Sequence, residues 1–265
     1  MFTYQGSKRR ELPFIRDHEP KEFKTMVDVF GGGGNVFLDY LKRYPEKTCI
    51  YNDFDDCLYE IFYTVAIGNA KDLEKRVVEM FNPDNVRADR TNLLKKINAG
   101  EVKKDAVNFL YLLRTSGRGL WNAPYLIMMK KGNPCLSPSS LSKYAEIVND
   151  PDCIHNNDYK DEMNLYKLNS DAFLYLDPPY NGKNTSCATY KNMVKGEYHN
   201  FLIFIEQFMK DPETKCKVML NIDFQGEVYV RFKDLIKLVY PVRYNSHSKT
   251  TVSSKSQQYH CIICN

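Results

Sequence analysis

Long hydrophobic runs are missing from this sequence. No stretch of the chain approaches the roughly 18 consecutive apolar residues of a membrane-spanning helix. The first residues also lack the apolar core of a signal peptide. We therefore expect a soluble, cytoplasmic protein without a membrane partner.

Closely spaced cysteines are almost absent as well. The eight cysteines are scattered, and only Cys261 and Cys264 lie near each other. They fall in an apolar C-terminal run that predicts a strand, where residues three apart point to opposite faces and do not chelate one ion. We expect reduced thiols and no metal site.

The sequence has no strong excess of either charge. With 37 basic and 33 acidic residues its net charge is +4, which is compatible with nucleic-acid binding but does not establish it. Its 43% hydrophobic content is ample for a packed core. At 265 residues the chain fits one large domain or a core domain with an insertion.

A glycine-rich segment follows the first predicted strand. An apolar run at 26–30 leads into four glycines at 31–34 and then into a helical pattern. These glycines let the chain turn sharply and let a ligand approach the backbone, and no Gly-Lys-Ser/Thr follows as in a phosphate-binding loop. Asp53 ends the next apolar run, 21 residues after Gly32, which predicts a ribose-binding carboxylate. The alternative is a plain glycine turn with a capping aspartate.

A second candidate site is the turn Asp177-Pro178-Pro179-Tyr180, directly after the apolar run 173–176. Proline cannot donate to a sheet ladder, so the chain must leave the sheet here in a stiff, extended turn. Ligands of open α/β sheets bind at such strand ends. The turn suits a planar, amino-bearing substrate, with Asp177 and the Pro178 carbonyl as acceptors and Tyr180 stacking on its face. A loop with a helix-capping aspartate is the alternative.

Two further segments carry candidate binding residues. A short strand predicted at 152–155 is followed by Asp158 and Tyr159, which would suit an adenine ring or form an ordinary turn. The turn-rich segment 114–134 contains arginines, lysines and the single tryptophan. It either donates to base edges and phosphates or is a solvated loop.

Periodicity predicts the remaining elements. Amphipathic helices without a strand signal fill 71–115, which indicates a helical insertion between two parts of an α/β sheet. The other predicted helices are 56–70, 140–148, 198–209 and 228–236. The other predicted strands are 48–52, 217–222, 238–244 and 259–264.

In this order the motifs resemble those of the Dam-type (D12-class) DNA adenine N6-methyltransferases. Similar pieces are the aromatic-x-Gly-x-Lys opening (Tyr4 to Lys8), the cofactor loop (Phe30 to Gly34), the ribose-binding acid (Asn52-Asp53), the target-recognition segment (Thr115 to Asn122), the Asp-aromatic pair (Asp158-Tyr159) and the amino-methyltransferase turn (Asp177 to Tyr180). The chain departs from the family at Gly117-Arg118, where many members carry an aromatic residue that fills the gap left in the duplex.

The resemblance implies an α/β fold: a Rossmann-like class I methyltransferase sheet with an inserted, mostly helical target-recognition domain. The catalytic domain would cover residues 1–60 and 141–265, and the DNA-binding insertion residues 61–140. It further implies S-adenosyl-L-methionine as cofactor and double-stranded DNA as partner. The enzyme would flip an adenine out of the duplex and methylate its 6-amino group, without a metal, as a monomer or weak dimer on DNA. The alternatives are an amino-methyltransferase acting on RNA or protein glutamine, and a non-catalytic DNA-binding relative.

The resemblance also implies roles for individual residues. The catalytic residues would be Asp177, Pro178, Pro179 and Tyr180. The cofactor-binding residues would be Tyr4, Lys8, Phe30, Gly32, Gly34, Asp53, Asp158, Tyr159 and Asp177. The DNA-binding residues would be Arg114, Arg118, Trp121, Asn122, Lys130, Lys131, Lys249 and Lys255.

Overall fold

The computed structural model describes residues 4, 6–116, 119, 121–122, 141–180, 195–242 and 258–265. The strands of the described residues are β1 (Thr25–Asp28), β2 (Thr48–Asn52), β3 (Ile154–His155), β4 (Ala172–Leu176), β5 (Lys217–Asp223), β6 (Ile236–Val242) and β7 (Gln258–Cys264). The α-helices are α1 (Leu12–His18), α2 (Asn35–Arg43), α3 (Asp56–Ala66), α4 (Ala70–Glu79), α5 (Val86–Asn98), α6 (Ala106–Arg114), α7 (Tyr159–Tyr166), α8 (Lys195–Lys210) and α9 (Gly226–Phe232). Short 3₁₀ helices cover Lys8–Arg10, Leu141–Lys143 and Pro151–Cys153.

The strands form one seven-stranded sheet in the order β3-β2-β1-β4-β5-β7-β6. Strands β1 to β5 run parallel, while β7 pairs antiparallel with both β5 and β6. The chain builds the sheet outwards from β1 on one side and from β4 on the other. The predicted Rossmann-like α/β fold is therefore confirmed, with its topological switch point between β1 and β4.

Side chains of each strand alternate between two apolar cores, one on each face of the sheet. In β1, Met26 packs into the core that also contains residues of α2, α3, α4 and α6. Its neighbour Val27 packs into the opposite core, with residues of α8 and α9. This alternation follows from the two-residue period of a strand. Parallel strands buried on both faces need to be apolar throughout, as β4 is.

The helices α4 to α6 lie in the region predicted as a helical insertion, and no strand interrupts the described part of it. Residues of α4 and α6 share one core with the sheet. The predicted domain boundary between residues 60 and 61 falls inside α3. The end of α6 is fixed by Arg90, which is buried and donates to the carbonyl of Leu112 and to the hydroxyl of Thr115.

Two predicted helices differ from the structure. The prediction over 140–148 is wrong in the described residues, where a single 3₁₀ turn at Leu141–Lys143 is followed by turns. The carboxylate of Glu74 on α4 accepts hydrogen bonds from the backbone of Leu141 (2.7 Å) and the hydroxyl of Ser142 (2.7 Å). This long-range contact fixes the segment where the local pattern favours a helix. The other predicted helix, over 228–236, ends at Phe232 and gives way to β6.

Smaller corrections concern two element boundaries. The helix predicted over 56–70 ends at Ala66, because Gly68 adopts a left-handed backbone with φ of 80° and caps the end. Of the strand predicted at 152–155 only the last two residues are extended, since Pro151 starts a 3₁₀ turn.

The two close cysteines of β7 point to opposite faces of the sheet, as predicted. Cys261 belongs to one core, and Cys264 packs against the other. Within the described ranges, no group of three or more His, Cys, Asp or Glu residues is arranged to hold a metal ion. Nor does any described helix combine the length and apolarity that crossing a membrane requires.

Candidate active site

The carboxyl ends of the parallel strands bring the predicted cofactor and catalytic motifs to one edge of the sheet. Asp28 ends β1, Asp53 follows β2, Asp158 follows β3 and Asp177 follows β4. The β1 and β4 ends are held together by the hydrogen bond from the Val29 amide to the Tyr175 carbonyl, 3.0 Å long. The glycine loop and the Asp177 turn therefore begin side by side at the switch point.

The glycine loop is packed tightly against β2. The Gly31 amide donates to the Asn52 carbonyl (2.8 Å), and the Tyr51 hydroxyl donates to the Gly32 carbonyl (2.9 Å). A Cβ atom on Gly31 would lie 2.2 Å from the Tyr51 ring, and one on Gly34 would lie 2.3 Å from the Phe62 ring. Gly34 also has a positive φ of 69°. Glycine is required at both positions by space, and at Gly34 by backbone conformation too.

Asp53 is tied to this loop from the end of β2. Its Oδ2 accepts the Gly32 amide (2.7 Å), and its Oδ1 accepts the Asp55 amide (2.9 Å). Burial raises the pKa of Asp53 to about 6, although both backbone hydrogen bonds lower it. Each carboxylate oxygen still has a further lone pair for a hydroxyl donor. Phe54, the next residue, is 72% exposed and forms a large apolar surface beside the acid, which no pattern in the sequence indicates.

Asp28 is a second acid of this edge that sequence reasoning missed. It is buried, and its Oδ2 accepts the amide of Phe37 near the start of α2 (3.2 Å). Its Oδ1 has no hydrogen-bond partner among the described residues. Burial raises the pKa of Asp28 well above its usual range, and the nearby charge of Asp177 adds to this effect. A buried oxygen without a donor indicates a place for a ligand donor.

The predicted adenine-binding pair follows β3. Asp158 caps α7 by accepting the Lys160 amide (2.9 Å), a local role that agrees with the ordinary turn given as the alternative for this pair. The Tyr159 ring lies 5.6 Å from the ring of Phe30 in the glycine loop and 5.3 Å from that of Phe201. Phe30 and Tyr159 therefore form one aromatic surface that joins the ends of β1 and β3.

At the end of β4, Asp177 and Tyr180 are joined by a third residue, Lys8. The ammonium of Lys8 lies 2.9 Å from Asp177 Oδ1 and donates to the Tyr180 hydroxyl, which itself lies 3.0 Å from the same Oδ1. The Lys8 side chain is only 4% exposed, against 17% for Asp177. The edge of the Tyr180 ring meets His260 of β7, with ring centres 5.1 Å apart.

The charge of Asp177 depends on a balance of two effects. Burial raises its pKa, because a carboxylate loses hydration there, while the charge and hydrogen bond of Lys8 lower it. Burial is the larger effect, so the pKa of Asp177 lies above the ordinary value. A raised pKa beside a specific charge partner is typical of functional sites.

The predicted DNA-binding residues lie in different surroundings. The Arg114 side chain is 5% exposed and pairs with Glu74 at 3.0 Å, which gives it a structural contact within the helical region. Trp121 is half-buried against Phe109, and the Lys104 ammonium lies 4.9 Å from its ring centre. Asn122 follows it and is half-buried. The remaining predicted residues lie outside the described ranges: Arg118, Lys130, Lys131, Lys249 and Lys255.

Comparison with known proteins identifies the class to which this fold and site belong. The sequence model of the D12 class N6 adenine-specific DNA methyltransferases matches residues 4–237, which is most of the chain. The chain belongs to this family, as its motifs predict.

Individual relatives are similar at low identity. The modification methylase StsI of Streptococcus sanguinis is 23% identical over 278 aligned residues, which cover 97% of this chain but 41% of that protein. The type II methyltransferase M.MjaIII of Methanocaldococcus jannaschii is 22% identical over 86% of this chain and 87% of its own length. The type II methyltransferase M1.LlaDCHI of Lactococcus lactis is 26% identical over 67% of this chain and 64% of its own. The chain thus spans less than half of the first relative and most of the second.

Proposed function

We propose that this chain uses S-adenosyl-L-methionine to methylate the exocyclic 6-amino group of adenine in duplex DNA. One observation supports this more than any other. In a member of the D12 class, the turn Asp177-Pro178-Pro179-Tyr180 lies at the switch point of the sheet, directly beside the glycine loop. An acceptor for an amino group and a nucleoside site are thus neighbours.

The residues at the sheet edge fit the proposed cofactor. The buried Asp28 Oδ1, which has no donor among the described residues, suits the cofactor's ammonium group. Asp53 retains lone pairs for the ribose hydroxyls, and the exposed ring of Phe54 beside it suits the adenine. When bound, the cofactor supplies an electrophilic methyl group.

Other residues of the predicted cofactor site complete this proposal. Asp158 and Tyr159 would border the adenine from the end of β3. Tyr4 lies over the glycine loop, since a Cβ on Gly33 would come within 2.9 Å of the Tyr4 Cβ. Lys8 lies between Tyr180 and Asp177 and would approach the methionine portion of the cofactor from there.

The turn would act on the target base by positioning it. The adenine amino nitrogen is a poor nucleophile because its lone pair is delocalised into the ring. Asp177 and the Pro178 carbonyl would accept its two hydrogens and favour a pyramidal nitrogen with a directed lone pair. Tyr180 would stack on the base. The adenine must first leave the duplex, at a cost of a few kcal/mol, and positioning and electrostatics then contribute most of the rate.

The helical region would present the DNA. Residues 61–140 contain 13 basic and 7 acidic residues, a net charge of +6, whereas the rest of the chain has 24 basic and 26 acidic residues, a net charge of −2. A basic segment attached to a mildly acidic catalytic part suits phosphate binding. Trp121 and Asn122 are its proposed base-contacting residues within the described ranges. Arg114 would act indirectly, because its partner Glu74 holds the segment at Leu141 and Ser142. Because relatives are named modification and type II methyltransferases, we propose a modification role.

The test is transfer of a labelled methyl group from S-adenosyl-L-methionine to adenine-containing duplex DNA, with digestion of the product to nucleosides. We expect N6-methyladenine from the wild type and a loss of about 100-fold or more in Asp177→Ala. Asp171→Ala is the matched control, because Asp171 precedes the same strand at its opposite end and should leave transfer unchanged. Sequencing the methylated DNA would give the target motif.

Three results would contradict the proposal. Unchanged transfer by Asp177→Ala would exclude the catalytic turn. Label in RNA or in a glutamine-containing peptide, but not in DNA, would favour a different amino-methyltransferase. Binding of both cofactor and DNA without transfer would indicate a non-catalytic relative.

A further inference from the structure

Glu11 is a buried acid behind the Asp177 turn that the proposed chemistry does not use. It lies between the first 3₁₀ helix and α1 and is 7% exposed. Its Oε2 is held by three groups from the distant strands β5 to β7, namely His260 Nδ1 (3.0 Å), the Tyr240 hydroxyl and the Asn221 side-chain amide (3.5 Å). Its Oε1 lies 3.7 Å from the ammonium of Lys8.

These contacts keep Glu11 ionised and fixed in orientation. Burial alone would raise its pKa, but the hydrogen bond from His260 and the charge of Lys8 outweigh burial and lower the pKa of Glu11 to about 2. Since a carboxylate only accepts hydrogen bonds, Nδ1 of His260 carries the hydrogen in this contact. Because Oε2 of Glu11 accepts these hydrogen bonds, Oε1 is the oxygen that faces the Lys8 ammonium.

Lys8 is thus shared between two carboxylates. Its ammonium lies 2.9 Å from Asp177 Oδ1 and 3.7 Å from Glu11 Oε1. In the proposed reaction Asp177 must accept one hydrogen of the adenine amino group, and Lys8 occupies one of the two carboxylate oxygens that could accept it. A buried ammonium displaced from Asp177 without another partner would be strongly disfavoured.

We infer that Glu11 is a positioning residue, which takes over Lys8 when the amino group of the target base binds to Asp177. This inference rests on the proposed function. Because the ammonium is already within 4 Å of both acids, the exchange requires only a small shift of the Lys8 side chain. The hydrogen bonds from β5, β6 and β7 hold Glu11 in place during this shift.

The first experiment compares Glu11→Gln with Glu19→Gln in single-turnover methyl transfer to duplex DNA. Glu19 is a matched control, because it also accepts from a cation, Arg43, and a tyrosine hydroxyl, and its side chain is 12% exposed against 10% for Glu11. We expect Glu11→Gln to slow transfer about tenfold, with the Kd values for DNA and cofactor within about twofold of wild type. Equal rates in the two variants would overturn the inference.

A double-mutant cycle separates positioning from a general structural effect. If Glu11 acts through Lys8, Glu11→Gln should have no further effect on the transfer rate in the Lys8→Met background. The same loss in both backgrounds would show that Glu11 acts independently of Lys8 and would overturn the inference.

A third measurement does not depend on methylation. Urea unfolding of the free protein gives the coupling between Lys8→Met and Asp177→Asn, with and without Glu11→Gln. We expect a larger coupling in the Glu11→Gln background, because Lys8 then keeps only Asp177 of the two carboxylates, Asp177 and Glu11, that it contacts in the wild type. An equal or smaller coupling would overturn the inference. If the coupling increases but the wild type methylates no DNA, the proposed function fails while the sharing of Lys8 stands.

Discussion

Replacing Lys8 by methionine should move the acidic limb of the pH–rate profile of methyl transfer to higher pH. In the proposed mechanism the ionised Asp177 accepts an amino hydrogen, so the rate falls as pH drops through the pKa of Asp177. That pKa is already above its ordinary value because of burial, and Lys8 keeps it from rising further. An opposite charge at this distance, 2.9 Å, lowers a carboxyl pKa by about 1–3 units. Without Lys8 the limb should therefore move upwards by a similar amount.

The assay is kcat/KM for DNA as a function of pH, at saturating cofactor. This parameter reports the enzyme before DNA binds, in which Lys8 still contacts Asp177, and saturating cofactor keeps titration of Asp53 in a free cofactor site from contributing. Lys24→Met is the matched control, since Lys24 pairs with Asp171 at 2.6 Å on the surface, at the opposite end of β4. An acidic limb at the same pH in wild type and Lys8→Met would refute the reasoning, because it would show that Lys8 does not set the ionisation on which transfer depends.

Two further predictions concern the cofactor edge. Affinity for S-adenosyl-L-methionine, measured by calorimetry, should fall as pH drops through about 6, where Asp53 takes up a proton. The Asp53→Asn variant should bind the cofactor more weakly and without this pH dependence. A wild-type affinity that stays constant with pH would exclude the ribose-binding role of Asp53. Gly34→Ala and Gly100→Ala should both lower the free energy of unfolding by about 1–2 kcal/mol for the left-handed backbone, because φ is 69° and 73°. The loss in urea should be greater at Gly34, where the new Cβ would lie 2.3 Å from the Phe62 ring, whereas a Cβ at Gly100 would meet no atom of the described residues within 4 Å. Equal losses would show that this ring moves aside.

The sequence predicts best the elements that end in residues with strict backbone demands. Strand β4 stops just before Pro178 and Pro179, and β1 leads into glycines that the packing requires, so both strands were predictable. The segment 141–148 was not, because its conformation depends on Glu74, 67 residues away from Leu141. Local periodicity contains no information about such a partner.

Within the candidate site, too, residues whose roles depend on partners distant in the sequence could not be predicted. Asp177 and Asp53 were predictable, because each follows an apolar run and Asp53 also lies 21 residues after Gly32. Glu11 was not, because its role comes from His260, 249 residues later in the chain, and from strands whose pairing the pattern leaves open. A single buried acid in a charged N-terminal segment is indistinguishable in sequence from a surface residue.

The proposed cofactor site and the proposed catalytic turn both contain buried carboxyl groups at the same edge of the sheet. Asp28, Asp53 and Asp177 end three neighbouring strands, and burial raises the pKa of all three. Desolvating three carboxylates costs the free protein stability, which is expected where residues are placed for function. The proposed cofactor bears a sulfonium and an ammonium, so its binding would favour the ionised acids and release the protons that burial retains. Cofactor binding and pH would therefore be linked through the residues that prepare the site for the base.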